Sequence, residues 1–295
     1  MTIDVIIPVF KPDVKLYKLI KKLGDQTVLP NRIILANTVL EEGDCEKLKT
    51  EIEASFLQRN IPIDIYPVRQ SDYDHAATRQ VAAKLSDADA ILFMTQDAIP
   101  YDNVMVQRLK TALEKGAGAA FARQIAYDDA PLTEKLTRTF NYPEDSYKRK
   151  KKDLGRYGIK AIFCSDTCMI YDRAVFERLG GFDREGGFAE DMNYAYKLLQ
   201  SGGTLAYAAG ARVYHSHDYS IRENYRRSFL LGVNQAAHPE IYKKLPSEKE
   251  GRRYVKYVLG KLKEHKKRRM AFKFLLNCAA RYLGVLKGRR KKIRK

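Results

Sequence analysis

Asp97 is the residue with the clearest chemical potential in this 295-residue sequence. It follows the apolar run Ala90–Met94 (AILFM), which predicts a buried strand. Residues just after such strands border the crevice in which open α/β sheets bind ligands. A carboxylate there can hold Mg²⁺ or Mn²⁺ against phosphate oxygens. The alternative is that Asp97 caps the turn or helix that follows.

His215 and His217 are two residues apart at the end of a predicted strand, Thr204–Tyr214. Alternate residues of a strand point the same way, so both imidazoles can serve one site. Beside Asp97 they would complete a metal shell, and Mn²⁺ accepts imidazole more readily than Mg²⁺ does. The alternative is that the pair hydrogen-bonds a loop or a diphosphate.

Glu190 and Asp191 begin a predicted helix, Glu190–Gln200, after a loop that contains Gly186 and Gly187. A carboxylate placed there suits proton abstraction from a hydroxyl group. Helix N-termini also favour acids for electrostatic reasons alone, which is the structural alternative.

Two further polar residues are candidates for binding. The guanidinium of Arg79, on the predicted helix His75–Leu85, is suited to a phosphate or a base edge, although a salt bridge is the alternative. Asp166, after Phe163-Cys164-Ser165, is a candidate for contact with hydroxyl groups of a ligand.

The elements that must position these residues alternate along the chain, which predicts βαβ units in an α/β fold with a mostly parallel sheet. Continuous apolar strands indicate helices on both faces. The predicted strands are Ile3–Val9, Ile33–Ala36, Ile61–Val68 and Ala90–Met94. The predicted helices between and after them are Val14–Gly24, Cys45–Asn60, His75–Leu85 and Asn103–Lys115.

Two later regions differ from this pattern. Residues 124–160 are polar, include the basic run 148–152, and are interpreted as a long, partly mobile insertion over the site. Regular structure is expected to resume at Ala161–Tyr171, and the pattern is helical from Ser220 to the end.

Most of the net charge of +18 lies in the tail. Residues 251–295 contain 18 Lys and Arg and one acid, so they carry +17 of that charge. The tail also has an apolar stripe at helical spacing, formed by Phe272, Leu275, Leu276, Ala279, Leu283 and Leu286. A basic amphipathic helix is typical of attachment to an anionic membrane surface. Packing of the stripe on the body or on a partner chain is the alternative.

The start of the chain and its cysteines bear on location. The first apolar run stops at Pro8, so no signal peptide is expected, and no stretch is long enough for a spanning helix. The cysteines, Cys45, Cys164, Cys168 and Cys278, do not form paired zinc motifs and are read as buried free thiols. These features predict a cytoplasmic protein, peripheral at the inner face of the cell membrane.

Five short motifs occur in order: IIPVF (6–10), TQDA (95–98), GGFD (180–183), ED (190–191) and HSH (215–217). Together they resemble the inverting glycosyltransferases of family 2, which have the GT-A fold. Residues 73–79, 95–100 and 215–220 are most similar to the rhamnosyltransferase branch of that family. The resemblance covers residues 1–235. It implies a GT-A domain over residues 1–220 and a helical, basic extension over residues 221–295.

The resemblance also implies roles for single residues. Asp97 matches the last acid of an Asp-x-Asp metal motif in which Thr95 replaces the first acid, and His215 matches a metal-binding histidine. Asp191 matches the catalytic base, and Glu190 supports it or contacts the acceptor. The ligand hydroxyls expected at Asp166 are then those of the sugar or the acceptor. Donor binding is then expected from Pro8, Phe10, Lys11, Asn37, Arg79, Gln96 and Asp97. The implied donor is a dTDP- or UDP-sugar, with rhamnose from dTDP-rhamnose as one option, and the implied acceptor is a glycan or lipid-linked precursor.

Two other functions agree less well with the sequence. A sugar-nucleotide pyrophosphorylase would carry a Gly-rich basic loop after the first strand, and Pro8-Val9-Phe10-Lys11-Pro12 has no glycine. A non-enzymatic nucleic-acid binder would act through the tail with steep salt dependence. It would leave the TQDA, ED and HSH residues unexplained, so no nucleic-acid partner is expected.

Overall fold

A computed structural model describes residues 1–55, 61–183 and 187–291. Its strands are β1 (Ile3–Val9), β2 (Arg32–Val39), β3 (Ile63–Arg69), β4 (Ala90–Met94), β5 (Ile99–Pro100), β6 (Ala119–Ile125), β7 (Tyr147–Arg149), β8 (Cys168–Asp172) and β9 (Leu205–Tyr214). Its α-helices up to residue 200 are α1 (Val14–Gly24), α2 (Asp44–Ser55), α3 (His75–Ala83), α4 (Met105–Glu114), α5 (Leu132–Asn141), α6 (Asp153–Tyr157), α7 (Arg173–Arg178) and α8 (Glu190–Gln200). The helices that follow are α9 (Ile221–Ala237), α10 (Pro239–Tyr242), α11 (Glu248–Glu264) and α12 (Arg268–Arg289).

The described strands form one mixed sheet in the order β3-β2-β1-β4-β8-β6-β9-β5, with β7 paired to β9. The first four are mutually parallel, as predicted. β8 enters antiparallel between β4 and β6, and β9 pairs parallel with β6. The carboxyl ends of β1, β2, β4 and β9 therefore meet the amino end of β8 at one edge of the sheet. The candidate residues lie just after the carboxyl ends of these strands or just before the amino end of β8.

Helices cover both faces of the sheet because its strands are apolar on both sides. In β1, Ile3, Val5 and Ile7 belong to one buried cluster while Ile6 belongs to the other. Helix α1 is an example of how the sequence determines where a covering helix starts and which face it buries. Asp13 caps it by accepting from the backbone N–H of Lys15, and its buried face is Leu16, Leu19, Ile20 and Leu23.

The α/β fold expected from the sequence is confirmed, and some boundaries differ. β1, α1 and β4 have the predicted bounds, and α2 is described to Ser55, since residues 56–60 lie outside the described part. Strand β6 was missed because its second half, Arg123-Gln124-Ile125, mixes polar with apolar residues. Within the expected region Ala161–Tyr171, strand β8 starts only at Cys168.

The region 124–160, expected to be a partly mobile insertion, contains regular structure. It includes α5, the short edge strand β7 and α6. Lys160, just after α6, lies 4.4 Å from the Phe163 ring centre and donates to Asn141 at the end of α5. The polarity that suggested mobility belongs to helices and an edge strand that are exposed on one side.

The carboxyl-terminal extension is helical, as predicted, and α12 packs closely along α9. Gly232 of α9 faces Gly288 of α12, and Gly284 faces the main chain of Tyr225. A Cβ at any of these three glycines would clash with backbone of the facing helix, so the two helices approach more closely than larger residues allow. No described helix combines the length and the apolarity required to cross a membrane.

Candidate active site

Asp97, His215 and His217 form a cluster whose potential ligand atoms all lie within 4.8 Å of one another. Nε2 of His215 is 3.6 Å from Oδ1 of Asp97, and Nε2 of His217 is 3.4 Å from Oδ2. Asp97 is placed by the turn after β4, and the histidines are placed by the end of β9. The structure thus brings together the three residues that the sequence predicts as metal ligands.

Gln124 orients His215 within this cluster. Its Oε1 lies 2.9 Å from Nδ1 of His215 and accepts a 2.5 Å hydrogen bond from Nη1 of Arg138. An acceptor at Nδ1 places the ring proton there and leaves Nε2 with a lone pair, which lies 2.8 Å from Nε2 of His217. Neither Gln124 nor Arg138 was identified from the sequence. Gln124 lies on strand β6, which the sequence pattern did not predict. Nothing in the sequence therefore indicated that this side chain lies at the sheet edge.

Burial sets the charge of the two imidazoles. It lowers the pKa of His215 well below the ordinary histidine value, and the cations Arg138 and Arg227 act in the same direction. The pKa of His217 is also lowered by burial, with partial opposition from Asp97. Both rings are therefore neutral at neutral pH, which is the form that donates a lone pair to a metal ion.

Asp191 and Glu190 stand at the start of α8, as predicted, in different surroundings. Oδ2 of Asp191 accepts a 3.1 Å hydrogen bond from the backbone N–H of Asp166, and Oδ1 accepts one from Met192. Glu190 is 6% exposed and its Oε1 lies 3.1 Å from Nη1 of Arg79. Asp191 is half-buried and makes no ion pair within the described residues, so it is the carboxylate of the two that remains available.

The pKa values of both acids are raised. Burial raises the pKa of Asp191, against the lowering effect of its two backbone hydrogen bonds and of Arg79. Burial raises the pKa of Glu190 to about 7, with Arg79 opposing. A carboxylate with a raised pKa is more basic than an exposed aspartate, which suits a general base.

Arg79 and Asp166 are both buried and paired with protein groups. Arg79, expected among the donor-binding residues, is 5% exposed and lies between Glu190 and Asp166, whose Oδ2 is 3.6 Å from its Nε. Asp166, expected to contact sugar or acceptor, is 3% exposed and accepts a 2.6 Å hydrogen bond from the Tyr171 hydroxyl. Both are enclosed by protein groups, and the salt bridge that had been the alternative for Arg79 is what the structure contains.

The loop before β8 connects the acid site with the metal cluster. The N–H of Asp166 donates to Asp191, and one residue later the carbonyl oxygen of Thr167 accepts from the N–H of Thr95, two residues before Asp97. A single turn of chain therefore fixes the candidate base relative to the candidate metal ligands.

A small cavity of about 230 Å³ lies beyond the carboxyl ends of β1 and β2 and includes Lys11 and Asn37 in its lining. We call it the Asn37 cavity. Asn37 is 2% exposed, and its Oδ1 is a buried acceptor without a hydrogen-bond partner among the described residues. Buried acceptors are nearly always paired, so an unpaired one indicates a ligand or water position.

Three other predicted donor residues, Pro8, Phe10 and Gln96, are not among the residues that line this cavity. Pro8 lies within β1, beside Ala36 of β2. Gln96 is bonded to the main chain of Phe10: its Oε1 accepts from the N–H at 2.9 Å and its Nε2 donates to the carbonyl at 3.1 Å. Gln96 thereby ties the β1 loop to the β4 loop, while the Phe10 ring is 43% exposed.

A second cavity, of about 350 Å³, lies between the histidine pair and the carboxyl-terminal extension. We call it the catalytic cavity. Its walls include His215, His217 and Tyr219 on the sheet side, Arg138 from α5, and Arg281 from α12. The region 124–160 and the basic extension therefore both contribute side chains to it. Of the glycine pair predicted near Asp191, Gly186 lies outside the described residues.

Comparison with known proteins identifies the family. The family model described as Glycosyl transferase family 2 matches residues 4–180. The O-antigen chain rhamnosyltransferase RfbN of Salmonella typhimurium (strain LT2) is 36% identical over 259 residues, which is 87% of this chain and 80% of that protein. WbaN of Salmonella anatum, also an O-antigen chain rhamnosyltransferase, is 36% identical over 196 residues, covering 65% and 62%.

Solved structures agree on the fold. The mannosyltransferase PcManGT from Pyrobaculum calidifontis, in complex with GDP-Man and Mn²⁺, superposes with a TM-score of 0.59 at 13% identity and covers 96% of this chain and 86% of that one. Residues 1–349 of S. aureus TarS superpose with a TM-score of 0.56 at 10% identity, covering 98% and 92%. This likeness confirms the expected GT-A fold. The match over residues 4–180, together with the two Salmonella relatives, shows that the chain belongs to glycosyl transferase family 2.

Proposed function

We propose that this protein is a metal-dependent, inverting glycosyltransferase that uses a dTDP- or UDP-sugar to extend a cell-surface polysaccharide. The observation that carries the proposal is the Asp97–His215–His217 cluster, held by one loop to the half-buried Asp191. Residues 1–220 form its catalytic domain and residues 221–295 its extension. The two Salmonella relatives support rhamnose as the sugar and a growing glycan as the acceptor.

The lining of the Asn37 cavity supports a donor with a pyrimidine base. Uracil and thymine both present an N–H at position 3, and the unpaired Oδ1 of Asn37 is an acceptor for such a donor. Lys11 lines the same cavity and carries a positive charge toward the phosphate side. Guanine also has a ring N–H, but beside an amino group in place of the second carbonyl, and it is the larger base, so we expect this cavity of about 230 Å³ to favour a pyrimidine.

The donor set of the cluster fits Mn²⁺ better than Mg²⁺, since two of its three ligands are imidazoles. Asp97, His215 and His217 would hold the ion, with donor phosphate oxygens and water as the remaining ligands. The ion supplies charge neutralisation for the diphosphate leaving group. The complex of PcManGT with GDP-Man and Mn²⁺ is consistent with this assignment.

Asp191 is the base in this proposal. Inversion at an anomeric carbon requires a carboxylate to remove the acceptor proton as the new bond forms on the face opposite the diphosphate. Burial raises the pKa of Asp191, which increases its basicity, and the N–H groups of Asp166 and Met192 fix its two oxygens. Glu190 is paired with Arg79 and acts by positioning Asp191.

The extension places the enzyme at a membrane surface. Phe272, Leu275, Leu276 and Leu283 of α12 are 66%, 45%, 44% and 58% exposed, so the predicted apolar stripe faces outward while α12 packs on α9 through another face. Such a stripe on a strongly basic helix is typical of binding to anionic lipid. We place the protein in the cytoplasm, peripheral at the inner face of the cell membrane, next to a lipid-linked acceptor.

The test is hydrolysis of a panel of nucleotide sugars without acceptor. The panel contains dTDP-rhamnose, UDP-glucose and GDP-mannose, each with Mn²⁺, with Mg²⁺ and with EDTA. We expect turnover of the pyrimidine donors with Mn²⁺, less with Mg²⁺, and none with EDTA. Equal turnover of GDP-mannose would contradict the role of Asn37, and turnover in EDTA would contradict the metal.

A further inference from the structure

A third cavity, of about 1250 Å³, lies between helices α9, α11 and α12. We call it the tail groove. Its walls include the apolar side chains Leu231, Val255, Leu259 and Val285, with the charged Glu248, Arg252, Lys256 and Arg289 also among the lining residues. It is larger than the two cavities described above. Nothing in the sequence patterns assigned it a function, since it exists only where the three helices come together.

The tail groove adjoins the catalytic cavity. Six residues line both spaces: Tyr219, Asn224, Arg227, Tyr254, Cys278 and Arg281. A ligand bound at these shared residues therefore lies against both the groove and the cavity that His215 and His217 line.

Two arginines stand at this junction without a carboxylate partner. Nε and Nη2 of Arg281 donate to Oδ1 of Asn224 at 3.0 and 2.7 Å, and Asn224 is itself 6% exposed and bonded to Asn277. The guanidinium of Arg227 lies 4.8 Å from the Tyr219 ring centre. In the described part of the chain, neither arginine has an acid within 4.0 Å, so both charges remain available to an anion. The neutral Asn224 holds Arg281 in place without neutralising it.

We propose that the tail groove binds the lipid chain of the acceptor and that Arg227 and Arg281 bind its phosphate groups. This rests on the proposed function, in which the acceptor is a lipid-linked glycan. The ligand chemistry is that of an amphiphilic diphosphate: apolar walls for a prenyl-type chain, and two guanidinium groups for adjacent phosphates. The glycan would then extend into the catalytic cavity, while the chain leaves toward the exposed stripe of α12.

Two glycines of α11 provide a matched pair of variants. A Cβ added at Gly251 or at Gly260 meets no atom within 4 Å, so both positions accept a side chain. Gly251 lines the tail groove, whereas Gly260 does not. They are nine residues apart, which places them on opposite sides of an α-helix. Gly251→Trp fills the groove, and Gly260→Trp adds the same surface elsewhere.

The experiment measures binding of farnesyl diphosphate, inorganic pyrophosphate and farnesol by calorimetry on the full chain in EDTA, so that the metal cluster does not contribute. We expect farnesyl diphosphate to bind at least about tenfold more tightly than either other probe, because both parts of the site are engaged. Gly251→Trp should abolish that advantage and Gly260→Trp should keep it. Arg281→Gln and the exposed Arg227→Gln should each weaken farnesyl diphosphate binding about tenfold, the scale of one charge-assisted hydrogen bond.

Three outcomes would overturn the proposal: equal affinity for farnesyl diphosphate and pyrophosphate, equal effects of the two tryptophan variants, or arginine variants that weaken dTDP binding as much as farnesyl diphosphate binding. The last would assign the arginines to the donor. Arg290→Gln, outside both cavities, is the charge control, and thermal unfolding confirms that each variant is folded. Metal-dependent donor hydrolysis, measured separately, reports failure of the proposed function itself.

Discussion

The Nε2 atoms of His215 and His217 lie 2.8 Å apart, and each also approaches one oxygen of Asp97. Gln124 directs the proton of His215 to Nδ1, so Nε2 of that ring presents a lone pair. The potential metal-ligand atoms of Asp97, His215 and His217 thus lie close together at the sheet edge. The following predictions start from this geometry.

Asp97→Asn should abolish the metal dependence of donor binding, because the substitution removes the only negative ligand of the three. Calorimetry of dTDP with and without Mn²⁺ measures the effect. Asp87→Asn, at a carboxylate that is 92% exposed, is the control. Unchanged Mn²⁺-dependent affinity in folded Asp97→Asn would contradict the metal site.

Gln124→Leu should weaken Mn²⁺ binding about 10- to 100-fold, the usual effect of removing the group that orients a metal-binding histidine. Gln124→Glu keeps an acceptor for Nδ1 of His215 and should retain most of the affinity. Mn²⁺ titration followed by electron paramagnetic resonance compares the two. Equal losses in both variants would show that the hydrogen bond to His215 is unimportant.

Asp191→Asn should reduce kcat by about 10²- to 10⁴-fold, the scale of a positioned general base, and leave donor affinity nearly unchanged. Glu190→Gln should have a smaller effect, because Glu190 is held by Arg79. Steady-state kinetics with calorimetric donor binding separates chemistry from binding. An inactive Glu190→Gln enzyme beside an active Asp191→Asn enzyme would reverse the assignment.

The acid limb of the pH dependence of kcat should report the pKa of Asp191. The base acts when ionised, so activity rises as pH rises through its pKa, and burial places that pKa above the ordinary aspartate value of 3.8. Arg79 lowers the pKa of Asp191, so Arg79→Gln should move the acid limb to higher pH and Arg79→Lys should move it less. A pH–rate profile of the folded variants measures this. A shift to lower pH in Arg79→Gln would refute the electrostatic link.

The triple variant Leu275→Gln/Leu276→Gln/Leu283→Gln should release the protein from anionic vesicles and keep its thermal transition, because all three side chains are exposed. Deletion of residues 266–295 is a poorer test, since it removes α12 from its close packing on α9. Co-sedimentation with phosphatidylglycerol vesicles across a salt series is the measurement. Wild-type binding should weaken with salt yet retain an apolar remainder. Identical sedimentation of wild type and variant would exclude the stripe as the membrane contact.

The sequence determined the elements with strong local signals. Apolar runs, interrupted only by Asp4 in β1, specify β1 and β4, and a capped helix with apolar residues every three or four positions specifies α1. The polar residues just after these strands could be named because the carboxyl ends of parallel strands share one edge. Asp97, His215, His217 and the acids of α8 were therefore all predictable as candidates.

The tertiary structure decided what those residues contact. Arg79 and Asp166 read as ligand-binding residues in the sequence, yet they face each other inside the protein because β8 runs antiparallel to its neighbours and brings residue 166 to α3. Gln124, Arg138, Arg227 and Arg281 carry no motif. They reach the cavities through the pairing of β6 with β9 and the packing of α12 on α9. Local sequence encodes strands, caps and faces, whereas long-range packing determines which charges are neutralised by the protein and which remain for a ligand.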